Sequence, residues 1–300
     1  MRMELWLLAG AITMVGCVNG RAQDAPDDRV LNFVVIPDAH TRTGSLVYLP
    51  QIVERINALT IQPDFVMSLG DNVSGGEDHE VQADAERYEA AVGELKAPHY
   101  YVIGNHECIP IEVYKLLTWE GLLSAWDMQE RWYSFDVHGF HICVLDGWIS
   151  LAAAAFADDF GREQEWLTQD LAQTDRPTVV FIHQALGFQQ EDCQQWIDSD
   201  NRKFWPAGNF FETIFERYAD QIVGVFEGHK HKSLYKTQGG VTYHQMGASH
   251  AHDGQFAQVF IDPETGEYFV QAHPRVDEQN YQHDIQQTYG EKAVADRLMP

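Results

Sequence analysis

Val30-Leu31-Asn32-Phe33-Val34-Val35-Ile36-Pro37-Asp38-Ala39-His40 is the stretch that decides the fold. A short apolar run of strand length breaks at a proline and delivers a carboxylate and an imidazole. The same construction returns along the chain. Phe65 to Leu69 runs into Gly70-Asp71-Asn72, and Tyr100 to Ile103 into Gly104-Asn105-His106-Glu107. Thr178 to Ile182 ends at His183, and Ile222 to Phe226 ends in Gly228-His229-Lys230-His231. Leu46 to Leu59 and Glu80 to Leu95, between the first three runs, have helical spacing. Strand, helix, strand, helix, strand is the rhythm of an α/β sheet. In such sheets the strand ends converge on one edge, where ligands bind.

The rest of the chain fills in around this frame. Trp132 to Val137 alternates, turns at His138-Gly139 and returns as Phe140 to Asp146, a hairpin. Helices are expected over Arg162 to Gln173 and Phe210 to Tyr218. Further strands are expected over Ser233 to Lys236, Val241 to Met246, Phe256 to Ile261 and Tyr268 to Ala272. Glu80 to Leu95 reads as a solvated helix face, and His138 and His141 as surface residues beside a turn. Cys143, inside an apolar run, reads as a small buried hydrophobe. Residues 23–275 read as one domain without repeats, followed by a polar tail over 276–300 that is helical or frayed.

Composition narrows the class. Apolar residues make up 45% of the 300, enough for a sizeable core. Asp and Glu outnumber Lys and Arg by 45 to 20, so the formal charge is −25. That argues against a binder of long nucleic acid working through a broad basic surface. Four cysteines exclude a disulfide-stapled miniprotein.

Residues 1–22 read as an address. Leu5 to Val18 is almost unbroken apolar, behind Arg2, and is too short to span a membrane. Met14-Val15-Gly16-Cys17 resembles a bacterial lipoprotein box, with Met14 where Leu is usual. On that resemblance Cys17 becomes the lipidated first residue of the mature chain, the one expected membrane attachment. The alternative is an ordinary signal cleaved further on, near Ala22. Either way the expected location is the periplasm or cell envelope. Cys108 and Cys193 could pair in such a compartment.

The chemistry sits in the polar clusters. Asp38, His40, Asp71, Asn105, His106, His183, His229 and His231 offer carboxylates, an amide and imidazoles, a donor set suited to divalent transition metals. Asp38-x-His40 and His229-x-His231 are spaced so that, on extended backbone, each pair points to one side. Asp71 and Asn105 follow glycines, which allow tight turns. A shared carboxylate is the economical bridge for two metals, and Asp71 is the candidate. Each cluster alone is weak; five in order, each at a strand end, are not.

The ordered set resembles the calcineurin-like metallophosphoesterase superfamily. Its motifs run Asp-x-His, Gly-Asp-x, Gly-Asn-His-Asp/Glu, a lone His and Gly-His-x-His, and the resemblance spans about residues 30 to 275. It implies an α/β fold, a four-layer α/β/β/α sandwich of mixed β-sheets around two divalent metal ions, of Mn, Fe or Zn type. By motif position one ion takes Asp38, His40, Asp71 and His231, and the other takes Asp71, Asn105, His183 and His229. His106 then contacts the phosphate and acts on the leaving oxygen. The implied reaction is phosphoester hydrolysis, with hydroxide available near neutral pH because a bound metal lowers the pKa of water. The purple acid phosphatase branch has a Tyr ligand where this chain has Ser74, and Gly where it has His40, so that branch is not expected.

The implied partner is a small phosphorylated substrate: a phosphodiester, a nucleotide pyrophosphate or a phosphomonoester. Ala185 to Gly208 is long for a loop and holds Arg202, Lys203 and Trp205, candidates for a distal phosphate and for stacking on a base. His250 follows a strand and is a further candidate contact, and Val73 to His79 follows a metal motif and could line the entrance. From a different class, the alternative is a non-catalytic metal- or ligand-binding envelope lipoprotein on the same scaffold.

Overall fold

β1 (Leu31–Ile36) is buried at every position, because both of its faces are covered. Leu31, Phe33 and Val35 enter one apolar cluster, while Val34 and Ile36 enter another. Asn32, the polar residue in the run, spends its side chain on Gln62 O (2.9 Å) and on Gln258 Nε2 (2.9 Å). The computed structural model describes residues 29–41, 48–108, 121–146, 157–186, 210–249, 256–273 and 289–298. The leader with Cys17, and Cys193, lie outside these residues.

In chain order the elements are β1, α1 (Leu49–Asn57), β2 (Phe65–Ser68), α2 (Asp78–Val92), β3 (His99–Tyr101), α3 (Leu122–Ala125), β4 (Tyr133–Val137), β5 (Phe140–Val144), α4 (Ala157–Ala172), β6 (Thr178–Ile182), α5 (Phe210–Arg217), β7 (Ile222–Glu227), β8 (Leu234–Gln238), β9 (Val241–Gln245), β10 (Phe256–Ile261), β11 (Tyr268–His273), β12 (Tyr289–Gly290) and α6 (Lys292–Asp296). They make two six-stranded mixed sheets, ordered β12-β11-β10-β1-β2-β3 and β4-β5-β6-β7-β9-β8. β1, β2 and β3 run parallel, as do β5, β6, β7 and β9, so the ends that carry the polar clusters face the same way within each sheet.

The sheets face each other across a core of Phe33, Phe65, Val144, Phe181 and Phe226. Phe33 stacks on Phe65 (centroids 5.2 Å) and meets Phe181 and Phe226 edge-on at 5.3 and 5.1 Å, favoured aromatic geometries. α1, α2 and α3 cover the first sheet, and α4 and α5 the second. The result is a four-layer α/β/β/α sandwich.

Several local readings change. α2 is no mere solvated face: it buries Val81, Asp84, Ala85, Tyr88 and Val92. His141 is not at the surface but 2% exposed, gripped by Asp136 and Asp170, whereas His138 stays 28% exposed beside Asp64. Turn proximity signalled exposure, but it could not show the helix packed above the hairpin. Within the C-terminal stretch, the described residues 289–298 pack on the fold. β12 pairs with β11, and α6 lays Val294 and Ala295 on Phe260 and Phe269. A two-residue strand leaves no periodicity to read. No helix among the described residues is long and apolar enough to cross a membrane.

Candidate metal centre

Asp38, His40, Asp71, His229 and His231 all have left-handed backbone, with φ of 45°, 44°, 49°, 74° and 56°. Such angles are uncommon without glycine and concentrate at functional sites. They also correct the expected geometry. Asp38 with His40, and His229 with His231, converge because the chain coils immediately after its strand, not because it stays extended.

Asp71 is the hub. Its Oδ1 accepts the His106 backbone N–H at 2.8 Å, leaving Oδ2 toward three imidazoles: His183 Nε2 at 3.2 Å, His40 Nε2 at 3.7 Å and His106 Nε2 at 3.9 Å. His40 Nε2 and His231 Nε2 face each other at 3.3 Å, and His231 Nε2 lies 3.3 Å from Asp38 Oδ1. On the other side of Asp71, Asn105 Oδ1 lies 3.1 Å from His183 Nε2 and 2.8 Å from His229 Nδ1. The donor atoms of Asp38, His40, Asp71 and His231 fall within 4.8 Å of one another, as do those of Asp71, His183 and His229.

These are acceptors aimed at acceptors. His183 donates Nδ1–H to Leu69 O at 2.7 Å, which leaves the Nε2 lone pair pointing at a carboxylate and an amide oxygen. Only protons or cations settle such an arrangement, so the residues fit a metal centre. In the bare chain a proton plays the cation's part. Burial opposes charge on His183, but Asp71 outweighs it and raises its pKa to about 10. Asp71 is itself buried, yet His183, His106 and His40 hold it well below the usual carboxylate range. Burial and the neighbouring His183 depress His229 to about 3.

Two glycines are required by closeness. Gly70 adopts φ +82° and passes beside His183. Gly104 needs no unusual φ; a Cβ there would strike the Asp71 backbone nitrogen and carboxylate. The expected tight turn therefore describes Gly70, whereas Gly104 serves close approach.

His106 stands apart from the donors of the second group. Its Nδ1 donates to Ser74 O at 2.8 Å, which directs Nε2 inward, and its side chain is 30% exposed. Ser74 is where the segment after Asp71 meets the site. Glu107 was legible only as the last letter of a motif. In the structure its carboxylate takes backbone N–H bonds from Asp71, Asn72 and Gly104 and is wholly buried. Burial and Asp71 raise it to about 7. Gln245 likewise holds the Gly228 carbonyl beneath the last histidine pair. Neither residue had a sequence signal beyond position. Arg202, Trp205 and His250 lie outside the described residues.

Fold and site together define a phosphoesterase scaffold with a metal-binding cleft at the strand ends. The chain belongs to the calcineurin-like phosphoesterase family, whose model matches residues 31–233. That family is metal-dependent and cleaves phosphoester bonds. Over 191 residues the chain is 28% identical to the glycerophosphodiester phosphodiesterase GpdQ of Enterobacter lignolyticus (strain SCF1), a match covering 62% of each chain. The chain thus spans less than two thirds of that relative. Two solved structures share the fold. GAP50, the anchor in the inner membrane complex of Plasmodium, is 13% identical with a TM-score of 0.58, over 90% of this chain and 94% of that one. A putative 5'-nucleotidase from Staphylococcus aureus is 15% identical with a TM-score of 0.52, over 90% of this chain and 58% of that one.

Proposed function

We propose that this chain is an exported hydrolase of small phosphodiesters, working with two divalent ions held by Asp38, His40, Asp71, Asn105, His183, His229 and His231. One observation carries the reading: Asp71 Oδ2 lies between the imidazoles of both donor groups, 3.7 Å from His40 and 3.2 Å from His183. A carboxylate so placed is suited to bridging two ions. When bound, such ions supply a water of lowered pKa and offset charge on the phosphoryl oxygens.

The chain's own residues do the rest. The His106 N–H fixes Asp71 Oδ1, so the bridge does not rotate. His106 Nε2, directed inward by Ser74 O, is placed to give a proton to the departing oxygen. The choice of diester over nucleotide pyrophosphate or phosphomonoester is supported by the similarity to a glycerophosphodiester phosphodiesterase. A formal charge of −25 disfavours long nucleic acid as substrate. Export is supported by Leu5 to Val18, and lipid anchoring by the box ending at Cys17.

The test uses protein stripped of metal and reloaded with Mn²⁺, with turnover of bis-p-nitrophenyl phosphate, p-nitrophenyl phosphate and a nucleotide pyrophosphate compared. Metal-dependent turnover greatest on the diester is expected. No turnover of any of them, with metal bound, would overturn the catalytic reading in favour of a metal- or ligand-binding protein. Mass analysis of the N terminus from membranes tests lipidation at Cys17; an unmodified chain starting near residue 23 would refute it.

A further inference from the structure

A second group of metal-type donors lies away from the strand ends that carry the candidate centre. His141 is the second residue of β5, and β5 pairs in parallel with β6 through His141 and Thr178, at the opposite end of β6 from His183. His141 and Cys143 project from one face of β5 toward α4, which supplies Asp170. His141 Nε2 lies 2.8 Å from Asp170 Oδ2, and Cys143 Sγ lies 3.4 Å from the same oxygen. One ligand atom from each of the three falls within 4.8 Å of the others. His141 is 2% exposed and Cys143 is fully buried.

We propose that His141 Nε2, Cys143 Sγ and Asp170 Oδ2 form a second, thiolate-containing site for a divalent cation of the zinc type. The three donors are those that zinc takes, at bond lengths of about 2.0–2.3 Å. Those lengths put tetrahedral neighbours roughly 3.3–3.7 Å apart, so the His141–Asp170 pair must open by about half an ångström while the Cys143–Asp170 pair already fits.

The surroundings are already arranged for a ligand set. Asp136, cross-strand from His141, accepts the imidazole Nδ1–H at 2.7 Å, which leaves Nε2 for an ion. Ser134, cross-strand from Cys143, donates to Asp170 Oδ1 at 3.0 Å and turns Oδ2 inward. Charge points the same way. Asp136 and Asp170 bring two carboxylates to His141, and among the described residues Arg176 faces Asp136 at 3.4 Å. Without an ion, burial pushes the Cys143 thiol up, so its proton faces Asp170, and Asp170 and Asp136 raise the His141 pKa against burial. Ion binding would displace the thiol proton and tie the β4–β5 hairpin to α4.

The test titrates the stripped full chain with Co²⁺ and with Cd²⁺ and reads the near-ultraviolet thiolate-to-metal charge-transfer band. The donors of the candidate catalytic centre include no thiol, so occupancy there is silent in this signal. A saturable band is expected that disappears in Cys143→Ser and persists in Cys108→Ala, Cys193→Ser and Asp71→Asn. Asp136→Asn should keep the band while weakening the ion roughly 10–100-fold. Circular dichroism of Cys143→Ser checks that its fold survives, and Asp170→Asn supplies an independent loss of affinity. Absence of a band with excess Co²⁺ and Cd²⁺, or its survival in Cys143→Ser, would overturn the proposal and leave a cluster held by protons alone.

Discussion

The Glu107 carboxylate accepts the backbone N–H of Asp71 at 3.0 Å, and it anchors the loop from which the Asp71 carboxylate projects. Oε2 also takes the N–H of Gly104 at 2.8 Å, and Oε1 takes those of Asn72 at 2.8 Å and Val73 at 3.4 Å. Two strand-end loops, after β2 and after β3, are thereby tied to one buried side chain. Glu107→Gln keeps the shape but turns one acceptor into a donor facing an N–H. Leaving such groups unpaired costs about 1–3 kcal/mol. The metal-free variant should lose that much in urea denaturation, and its metal affinity should fall. A variant as stable as the parent would show that the carboxylate's second oxygen is dispensable.

Asp71 sits between both donor groups, so its loss should be felt by both ions. Asp71→Asn, which preserves the bond from the His106 N–H, should bind neither ion tightly and should retain no measurable turnover. Metal analysis after gel filtration decides the point. Two ions retained at parental affinity would disprove the bridging assignment.

How much of this was legible in the chain differs between strand and loop. A strand buried on both faces must be a continuous apolar run, so β1, β2, β6, β7 and β10 could be read to within a residue or so. What followed each run was legible as chemistry but not as shape. The left-handed backbone at Asp38, His40, Asp71, His229 and His231 has no signature in residues that usually avoid it. Glu107 and Gln245 act through bonds to backbone atoms of other loops, and such partners depend on tertiary closure. His141 illustrates the converse error. Beside a turn it looked exposed, because Asp170, which buries it, is 29 residues away.

His244 is expected to contribute to acid sensitivity through its burial. It is wholly buried, stacked on Phe226 at 4.6 Å, and burial depresses its pKa to about 3 against an ordinary 6.5. The unfolded chain therefore takes up a proton that the folded chain refuses. A group with a lowered folded pKa stabilises above its unfolded value and loses that contribution as pH falls, here from about 6.5 toward 3. His244→Phe, which keeps the ring, should flatten the decline of the urea midpoint between neutral pH and the acid limb, by on the order of a few kcal/mol. An unchanged pH profile would mean that His244 takes up its proton while folded.

His106 separates proton transfer from metal binding. Its Nδ1 is committed to Ser74 O, and its Nε2 lies 3.9 Å from Asp71 Oδ2, farther than His183 or His40. In the proposed function it acts on the substrate and the other imidazoles hold the ions. His106→Ala should keep both ions while slowing hydrolysis of an alkyl phosphodiester ~10²–10⁴-fold, the usual worth of a positioned acid. The decrease should shrink for p-nitrophenolate, which departs without a proton. Equal losses on both leaving groups would assign His106 to binding the phosphoryl oxygens, and loss of an ion would make it a ligand.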